Sequence, residues 1–445
     1  MSSKLLTAAA LMAALSTLAS GCNTGGRSSK PIYGPGTTGF ASSAQVGSTA
    51  PGATPGGGTT PGGGGASVGQ FSAGPALGFA RAQHTATTLP DGRVLVTGGS
   101  DSQGILVATE IFDPTTNTWA ELSTIAPSQA DAVMVDPTGQ FATARFGHTA
   151  TLLGNGQVLI AGGIGVERMD AQGQPVVESL KTSYVFDPAA NKYTRVGDLP
   201  ANRGWHLAAP VGNGAAVVGG MDAQLATLTA AAVFDPTAGT WAAAGTTQPH
   251  TWGAMVTAGS ATVVVGGADL SQGQQGLQLN GFPTPRVERF DPQNNAFLAG
   301  TQNPGGDRIL LGANASASGG TAIFVGGQGV QGQQLAVMDT VEVFDGAAGT
   351  WTPGPTLGTP RFAPEVAEVG TTGDHLIIGG VDGSGAPTAE CELWGSATNT
   401  ILGTVSMSAA RIDHRAVTLQ DGRILVIGGD DANQQTLDTT EIHTR

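Results

Sequence analysis

From Val68 onward the chain alternates short apolar runs with turn residues, and one run recurs: a few apolar residues closing on two glycines. Val94-Leu95-Val96-Thr97-Gly98-Gly99 is the first, and others end at Gly162-Gly163, Gly219-Gly220, Gly266-Gly267, Gly326-Gly327, Gly379-Gly380 and Gly428-Gly429. Apolar runs this short, bounded by glycine, predict strands rather than helices. Ahead of three copies stands a tight-turn dipeptide, Asp91-Gly92, Asn155-Gly156 or Asp421-Gly422, which predicts a hairpin. A third strand follows, Glu110-Ile111-Phe112-Asp113-Pro114, and recurs around Phe186-Asp187, Phe234-Asp235, Phe290-Asp291 and Phe344-Asp345. A fourth places an aromatic residue at Trp119, Tyr193, Trp241, Phe297 and Trp351, with Ile401 in the sixth copy. The first strand is introduced by arginine at Arg81, Arg145, Arg203, Arg308, Arg361 and Arg411, with histidine three positions on at His84, His148, His206 and His414.

Four short strands in seven copies, at a period of about 50–60 residues, predict the blades of a propeller. The ordered set Arg-x-x-His, Asp-Gly-Arg, Gly-Gly, Glu-x-Phe-Asp-Pro and Trp resembles the kelch repeat. The resemblance covers residues 68–445 and is strongest in the first two copies and the last. The fold it implies is all-β: a seven-bladed kelch-type β-propeller with four antiparallel strands per blade. The last copy stops at Arg445 without a fourth strand. Val68 to Gly74 reads as the missing one, since Phe71 stands as far ahead of His84 as Tyr193 does ahead of His206 and Ile401 ahead of His414. The N-terminal strand would close the last blade and remove an exposed sheet edge.

Composition agrees. The 445 residues include 70 Gly and 25 Pro, yet 40% are apolar, which suits many strands joined by tight turns and not a disordered chain. Charged residues make up 12%, with 19 Lys+Arg against 33 Asp+Glu and a formal charge of −14. No basic stripe is available to neutralise phosphates, so nucleic acid is not an expected partner. At the N-terminus Lys4 precedes an apolar run, Leu5 to Ala19, too short to span a bilayer comfortably and suited to an export signal. The run ends in Leu18-Ala19-Ser20-Gly21-Cys22, which resembles a bacterial lipobox, with Cys22 as the lipidated residue. The expected organisation is a lipoprotein signal peptide at 1–21, a Gly/Pro/Ser/Thr-rich tether at 22–67 and the propeller at 68–445. Attachment to the bacterial outer membrane or cell surface would run through the lipid on Cys22 alone; the alternative is a secreted protein. With only Cys22 and Cys391 in the chain, no disulfide is expected, and Cys391 reads as a buried filler of a strand.

Antiparallel strands send alternate loops to opposite ends of the propeller. One end is expected to carry tight turns and the other the long connections, at Ser123–Ala144, Ile164–Ser183 and Ala268–Pro285. Insertions gathered on one end mark a candidate binding face, with Glu167, Arg168, Asp269, Leu277 and Phe282 as candidate residues; neutral growth of tolerant loops is the alternative. The arginines Arg81, Arg145, Arg203, Arg308, Arg361 and Arg411 are candidates too, because guanidinium groups around a channel would hold carboxylates or acidic sugars. Their recurrence favours a structural role, each paired with a third-strand glutamate such as Glu110, Glu288, Glu342, Glu392 or Glu441. Asp101, Asp222, Asp269, Asp382, Asp430 and Asp431 follow the double glycine; Asx-turns account for them more simply than calcium, and no metal is expected.

The kelch resemblance also implies a comparison with galactose-oxidase-like copper enzymes, which use a Tyr-Cys cross-link, a further Tyr and two His. This chain has three tyrosines, Tyr33, Tyr184 and Tyr193, none near Cys391 in sequence. Neither a Gly-x-Ser-x-Gly elbow, a His-Glu-x-x-His pair nor a phosphate loop occurs. No cofactor is expected. The leading expectation is a monomeric binding or scaffolding module for a protein or glycan at the cell envelope. The alternative is a kelch-type carbohydrate-active enzyme, epimerase- or mutarotase-like, using Arg and carboxylates at the channel mouth. A purely structural envelope component, whose only partners are further copies of the same chain, is a third.

Overall fold

The computed structural model describes residues 67–445 apart from 127, 136–142, 173–174, 274–275, 283–286, 303–304, 318–319 and 332–333. The expected signal segment, Cys22 and all but the last residue of the expected tether lie outside the described residues.

Seven four-stranded antiparallel sheets occur among the described residues. The first consists of Thr85–Thr88, Val94–Thr97, Thr109–Asp113 and Thr118–Glu121, paired in that order. Five more repeat the pattern along the chain. The seventh takes Arg415–Thr418, Ile424–Ile427 and Thr440–Thr444 from the C-terminus and completes itself with Gln70–Ala73. The register of that closing strand matches the other sheets. Phe71 lies opposite His443, as Trp119 lies opposite Phe112 and Tyr193 opposite Phe186.

The second strand of each sheet is where the uninterrupted apolar runs belong. Val94–Thr97, Val158–Ala161 and Ile424–Ile427 are buried at every position, because both faces of the sheet are covered by its neighbours. Val94, Val96 and Phe112, for example, pack with Leu425, Ile427 and Ile442 of the seventh sheet. The first strand of each sheet neighbours the first strand of the next, and Arg415–Thr418 returns to Thr85–Thr88. First strands therefore surround a common axis, with the aromatic fourth strands outermost.

The glycine pairs join one sheet to the next. The Gly99 N–H donates to the Arg145 carbonyl at 2.9 Å, and Gly163 does the same to Arg203, Gly267 to Arg308, Gly327 to Arg361 and Gly380 to Arg411. At the first glycine of a pair, glycine is required for two reasons, as Gly98 illustrates. Gly98 has φ +62°, and a Cβ there would lie 2.4 Å from the Arg145 carbonyl oxygen.

The long connections are more ordered than the sequence suggests. Ile164–Met169 and Pro175–Ser179 form a hairpin that adds to Ala144–Phe146, and Asp269–Gly273 pairs with Gly276–Gly281. The connection after the first sheet contains two single-turn helices, Leu122–Ile125 and Gln129–Ala132. A further hairpin, Gln328–Gln331 with Gln334–Val337, is not anticipated in the sequence. The three hairpins leave directly from a glycine pair and so share one end of the ring. Cys391 is buried in the sixth sheet, where burial pushes its thiol up to about 12.

Candidate functional site at the axial mouth

The six recurring arginines do not form a ligand-facing ring. All are fully buried, and each directs Nη1 to the carbonyl of the first glycine in its own repeat, at 2.8 Å for Arg81–Gly98 and 2.7 Å for Arg145–Gly162. Arg203, Arg308, Arg361 and Arg411 reach Gly219, Gly326, Gly379 and Gly428 in the same way. Buried ion pairs then join Arg81 to Glu110 at 2.5 Å, Arg361 to Glu392 at 2.8 Å and Arg411 to Glu441 at 3.0 Å, and Arg308 to Glu342. In the fourth sheet His250 stands where arginine is expected. Its two ring nitrogens face the Gly266 carbonyl and Glu288. As residues of a surface binding face these arginines are thus corrected to framework, since fully buried guanidinium groups that bond their own repeat do not line the mouth.

A second ring lies two residues beyond the arginines. Gln83, Gly147, Trp205, Trp252, Leu310, Ala363 and Asp413 all adopt the left-handed conformation, with φ between 49° and 62°. Six of these positions are held by residues with a side chain, which rarely take it. Backbone bonds run from one to the next around the axis. The Gln83 N–H donates to the Asp413 carbonyl, Gly147 to Gln83, Trp205 to Gly147 at 2.8 Å, Leu310 to Trp252 at 2.7 Å and Ala363 to Leu310. Because these residues immediately precede the first strands, the ring borders the axial mouth at the end that carries the hairpins. The sequence reading did not find it. The only signal was a constant offset from the arginines, without a constant residue type.

The mouth has two unlike halves. Trp205, Trp252 and Leu310 are consecutive around the ring, half-exposed, and pack with Leu225 and Phe282 over Met221, Ala268, Leu270 and Ile309. Opposite them the Gln83 side-chain amide donates to Asp413 at 3.2 Å, Arg415 pairs with Glu365 at 2.7 Å, and the Thr436 hydroxyl donates to Asp430 at 2.8 Å. Burial raises the carboxyl pKa of Glu365 and of Asp413, and lifts Asp430 to about 6 with help from neighbouring Asp413 and Asp431. Just beneath, His148 and His206 meet the hydroxyls of Thr85 and Thr149 at 2.9 Å. The positions that would serve His84 and His414 in the same way are Arg415 and Glu365, which bond each other instead. Both nitrogens of those two histidines have no partner among the described residues.

The remaining candidates lie around this mouth. Glu167, on the hairpin between the second and third strands of the second sheet, is within 3.8 Å of Arg145, accepts from the Thr182 hydroxyl, and is raised to about 7 by burial. Arg168 is exposed and bonds Glu178 across the same hairpin at 2.8 and 3.0 Å. Asp269 opens the hairpin between the second and third strands of the fourth sheet, opposite Gly281, and Leu277 pairs with Gln272. Phe282 belongs to the apolar half, and Leu279 on the same hairpin is exposed. Asp101, Asp222, Asp382 and Asp431 each accept backbone N–H bonds from residues just ahead, as Asx-turns do.

A cross-linked Tyr-Cys copper centre does not fit these residues. Tyr184 and Tyr193 are buried between the first and second sheets, their hydroxyls bonded to the Val135 carbonyl and to Thr97 and Thr109. Cys391 lies in the core between the sixth and seventh sheets, remote from either. Tyr33 is outside the described residues.

Comparison with known proteins agrees on the fold. The kelch motif family model matches residues 80–124. Among solved structures, the chain is similar to a fungal alcohol oxidase described as having "catalytic diversity among the AA5 family, in complex with copper". The TM-score is 0.58 and the identity 14%, over 85% of this chain and 76% of that one. At that identity the likeness is one of fold alone. Among curated proteins no match is found. The fold is that of a kelch-type β-propeller.

Proposed function

We propose that this chain is an exported, lipid-anchored, seven-bladed propeller that binds a glycan-bearing partner at the cell envelope through its axial mouth. The observation behind this reading is the division of the left-handed ring into a tryptophan half and a carboxylate–amide half. A sugar ring has the same two characters: C–H faces that rest on indole, and hydroxyls that carboxylates and amides accept from or donate to. The arginine framework fixes the ring, and the hairpins enlarge the surface around it. Export and anchoring rest on Lys4, the run from Leu5 to Ala19, and Cys22.

The test is a glycan array and an envelope-extract pull-down on immobilised residues 67–445, with Trp252→Ala, Asp413→Asn and Arg168→Ala as variants. Trp252→Ala and Asp413→Asn should abolish capture while keeping a cooperative thermal transition, and Arg168→Ala should keep both. Unchanged capture by the first two variants would move the site away from the mouth. A second reading has its own support in Glu365, Asp413 and Asp430. Carboxyl groups with raised pKa beside Arg415 suit proton transfer on a sugar near neutral pH. Loss or exchange of a sugar ring proton, followed by NMR, would favour that reading over binding.

A further inference from the structure

Arg203 differs from every other arginine of the framework. In the first, fifth, sixth and seventh sheets the buried guanidinium meets a glutamate two positions before the Phe, Trp or His of the third strand. In the second sheet that position is Tyr184, but Arg145 lies 5.0 Å from its ring centroid, bonds the Thr182 hydroxyl and has Glu167 nearby. In the fourth sheet the carboxylate stays and arginine is replaced by His250. Only in the third sheet does the arginine have no acid paired with it among the described residues: the position is Ala232, fully buried. Arg203 Nη1 reaches the carbonyls of Gly219 and Ala230 at 3.2 and 3.0 Å, whereas Nη2 and Nε have no partner among the described residues. In the other arginines Nη2 is bonded.

The glutamates also accept a backbone N–H from the segment leading to the arginine: Gly78 to Glu110, Gly358 to Glu392 and Ser408 to Glu441. The equivalent residue in the third repeat is Pro200, which has no N–H to offer. The donor and the carboxylate are thus both absent, while the cation remains. Alanine in place of glutamate removes a methylene and a carboxylate from this position, and the buried residues packed with Ala232, among them Leu199, Val217 and Phe234, are apolar and supply no substitute charge. A buried guanidinium without a counter-charge is costly. Burial pulls its pKa down to about 10, so it stays charged at neutral pH.

We propose that the third sheet holds a small monovalent anion, a halide or formate, against Arg203 Nη2 in the space that glutamate fills elsewhere. Full burial of Arg203 and Ala232 selects for size: a larger carboxylate, such as that of an acidic sugar, has no room to enter. The anion acts as a structural counter-ion, and the proposal does not depend on the binding function suggested for the mouth.

The experiment measures Tm of residues 67–445 against sodium chloride or bromide, with sodium gluconate holding ionic strength constant. Tm should rise with the logarithm of halide concentration, as for any ligand of the folded state, by a few degrees from micromolar to 100 mM. Ala232→Glu supplies the carboxylate internally, and its Tm should not respond to halide. A bromide-soaked crystal of the unaltered protein should give an anomalous peak within hydrogen-bonding reach of Arg203 Nη2, which tests the site even if the variant fails to fold. A halide-independent wild-type Tm, an equal response in Ala232→Glu, or no bromide at Arg203 would each overturn the proposal.

Discussion

The backbone N–H of Gly429 donates to the carbonyl of Arg81 at 2.9 Å, so the last glycine pair of the chain grips the first arginine. The same bond joins successive sheets elsewhere, but here its two ends are nearly the whole domain apart in sequence. The seventh sheet repeats that long-range dependence, with Phe71 opposite His443.

A chain beginning at Gly74 should therefore suffer more than the loss of one short strand. Thr440–Thr444 would become an unpaired edge, and such edges recruit other chains. We expect a lower Tm and concentration-dependent association by sedimentation, whereas a chain beginning at Ser67 stays monomeric and keeps its Tm.

Gly326→Ala should cost about 2–4 kcal/mol, in the range of severe backbone and packing faults. Its φ is +60°, and the new Cβ would lie 2.2 Å from the Arg361 carbonyl oxygen. Gly370→Ala is the control: φ is +65° but nothing lies within 4 Å, so only the conformational cost of about 1–2 kcal/mol applies. Urea unfolding of the two variants should separate strain from collision; equal losses would refute the junction as described.

Removing one partner of a framework ion pair should be expensive. Glu441→Ala leaves Arg411 buried without its carboxylate and should cost about 3–5 kcal/mol. Arg168→Ala breaks an exposed pair on a hairpin and should cost no more than about 1 kcal/mol. Chemical denaturation measures both, and similar values would contradict the burial contrast.

Acid should destabilise the domain over a wide range. Burial and nearby arginines lower the pKa of His84 and His148 well below its ordinary value, and bring His206 and His414 to about 3. The unfolded chain takes up these protons near pH 6.5 and the folded one does not, so stability falls as pH drops from 6.5 toward 3. Glu167 and Asp430, raised to about 7 and about 6, and Glu365 and Asp413, raised by burial, act in the opposite sense above their unfolded values, but these four are fewer than the six histidines that burial lowers, His375 and His443 included. His206→Gln should flatten the slope of Tm against pH between 6.5 and 3, and an unchanged slope would remove that histidine from the account.

The parts of this molecule that could be read from sequence are those with the same task in every repeat. Arginine, the glycine pair, the third-strand acid and the aromatic partner meet in the same geometry sheet after sheet, so selection at one position is echoed at the others. The closing strand was legible for that reason: Phe71 keeps the spacing of Tyr193 and Ile401. The hairpins inserted in the second and fourth sheets were legible only as extra length, because Gln- and Gly-rich stretches such as Gln272 to Gln278 lack the alternation that marks strands. The left-handed ring was not legible at all. Its conformation is imposed by backbone bonds between neighbouring sheets, and Trp205, Leu310 and Ala363 have no intrinsic preference for it. Arg203 shows the converse. It matches the repeat fully, and only the absence of an acid at Ala232 sets it apart.

Since backbone bonds join most neighbours of the left-handed ring, the frame of the mouth depends little on which side chains it displays. Glycine, alanine, leucine, glutamine, aspartate and tryptophan already occupy equivalent seats. Seats other than Gly147, where a Cβ would lie 2.8 Å from the Trp205 ring, can change residue type while the backbone bonds persist, so relatives of this chain could diverge in what they recognise while their frames stay superimposable.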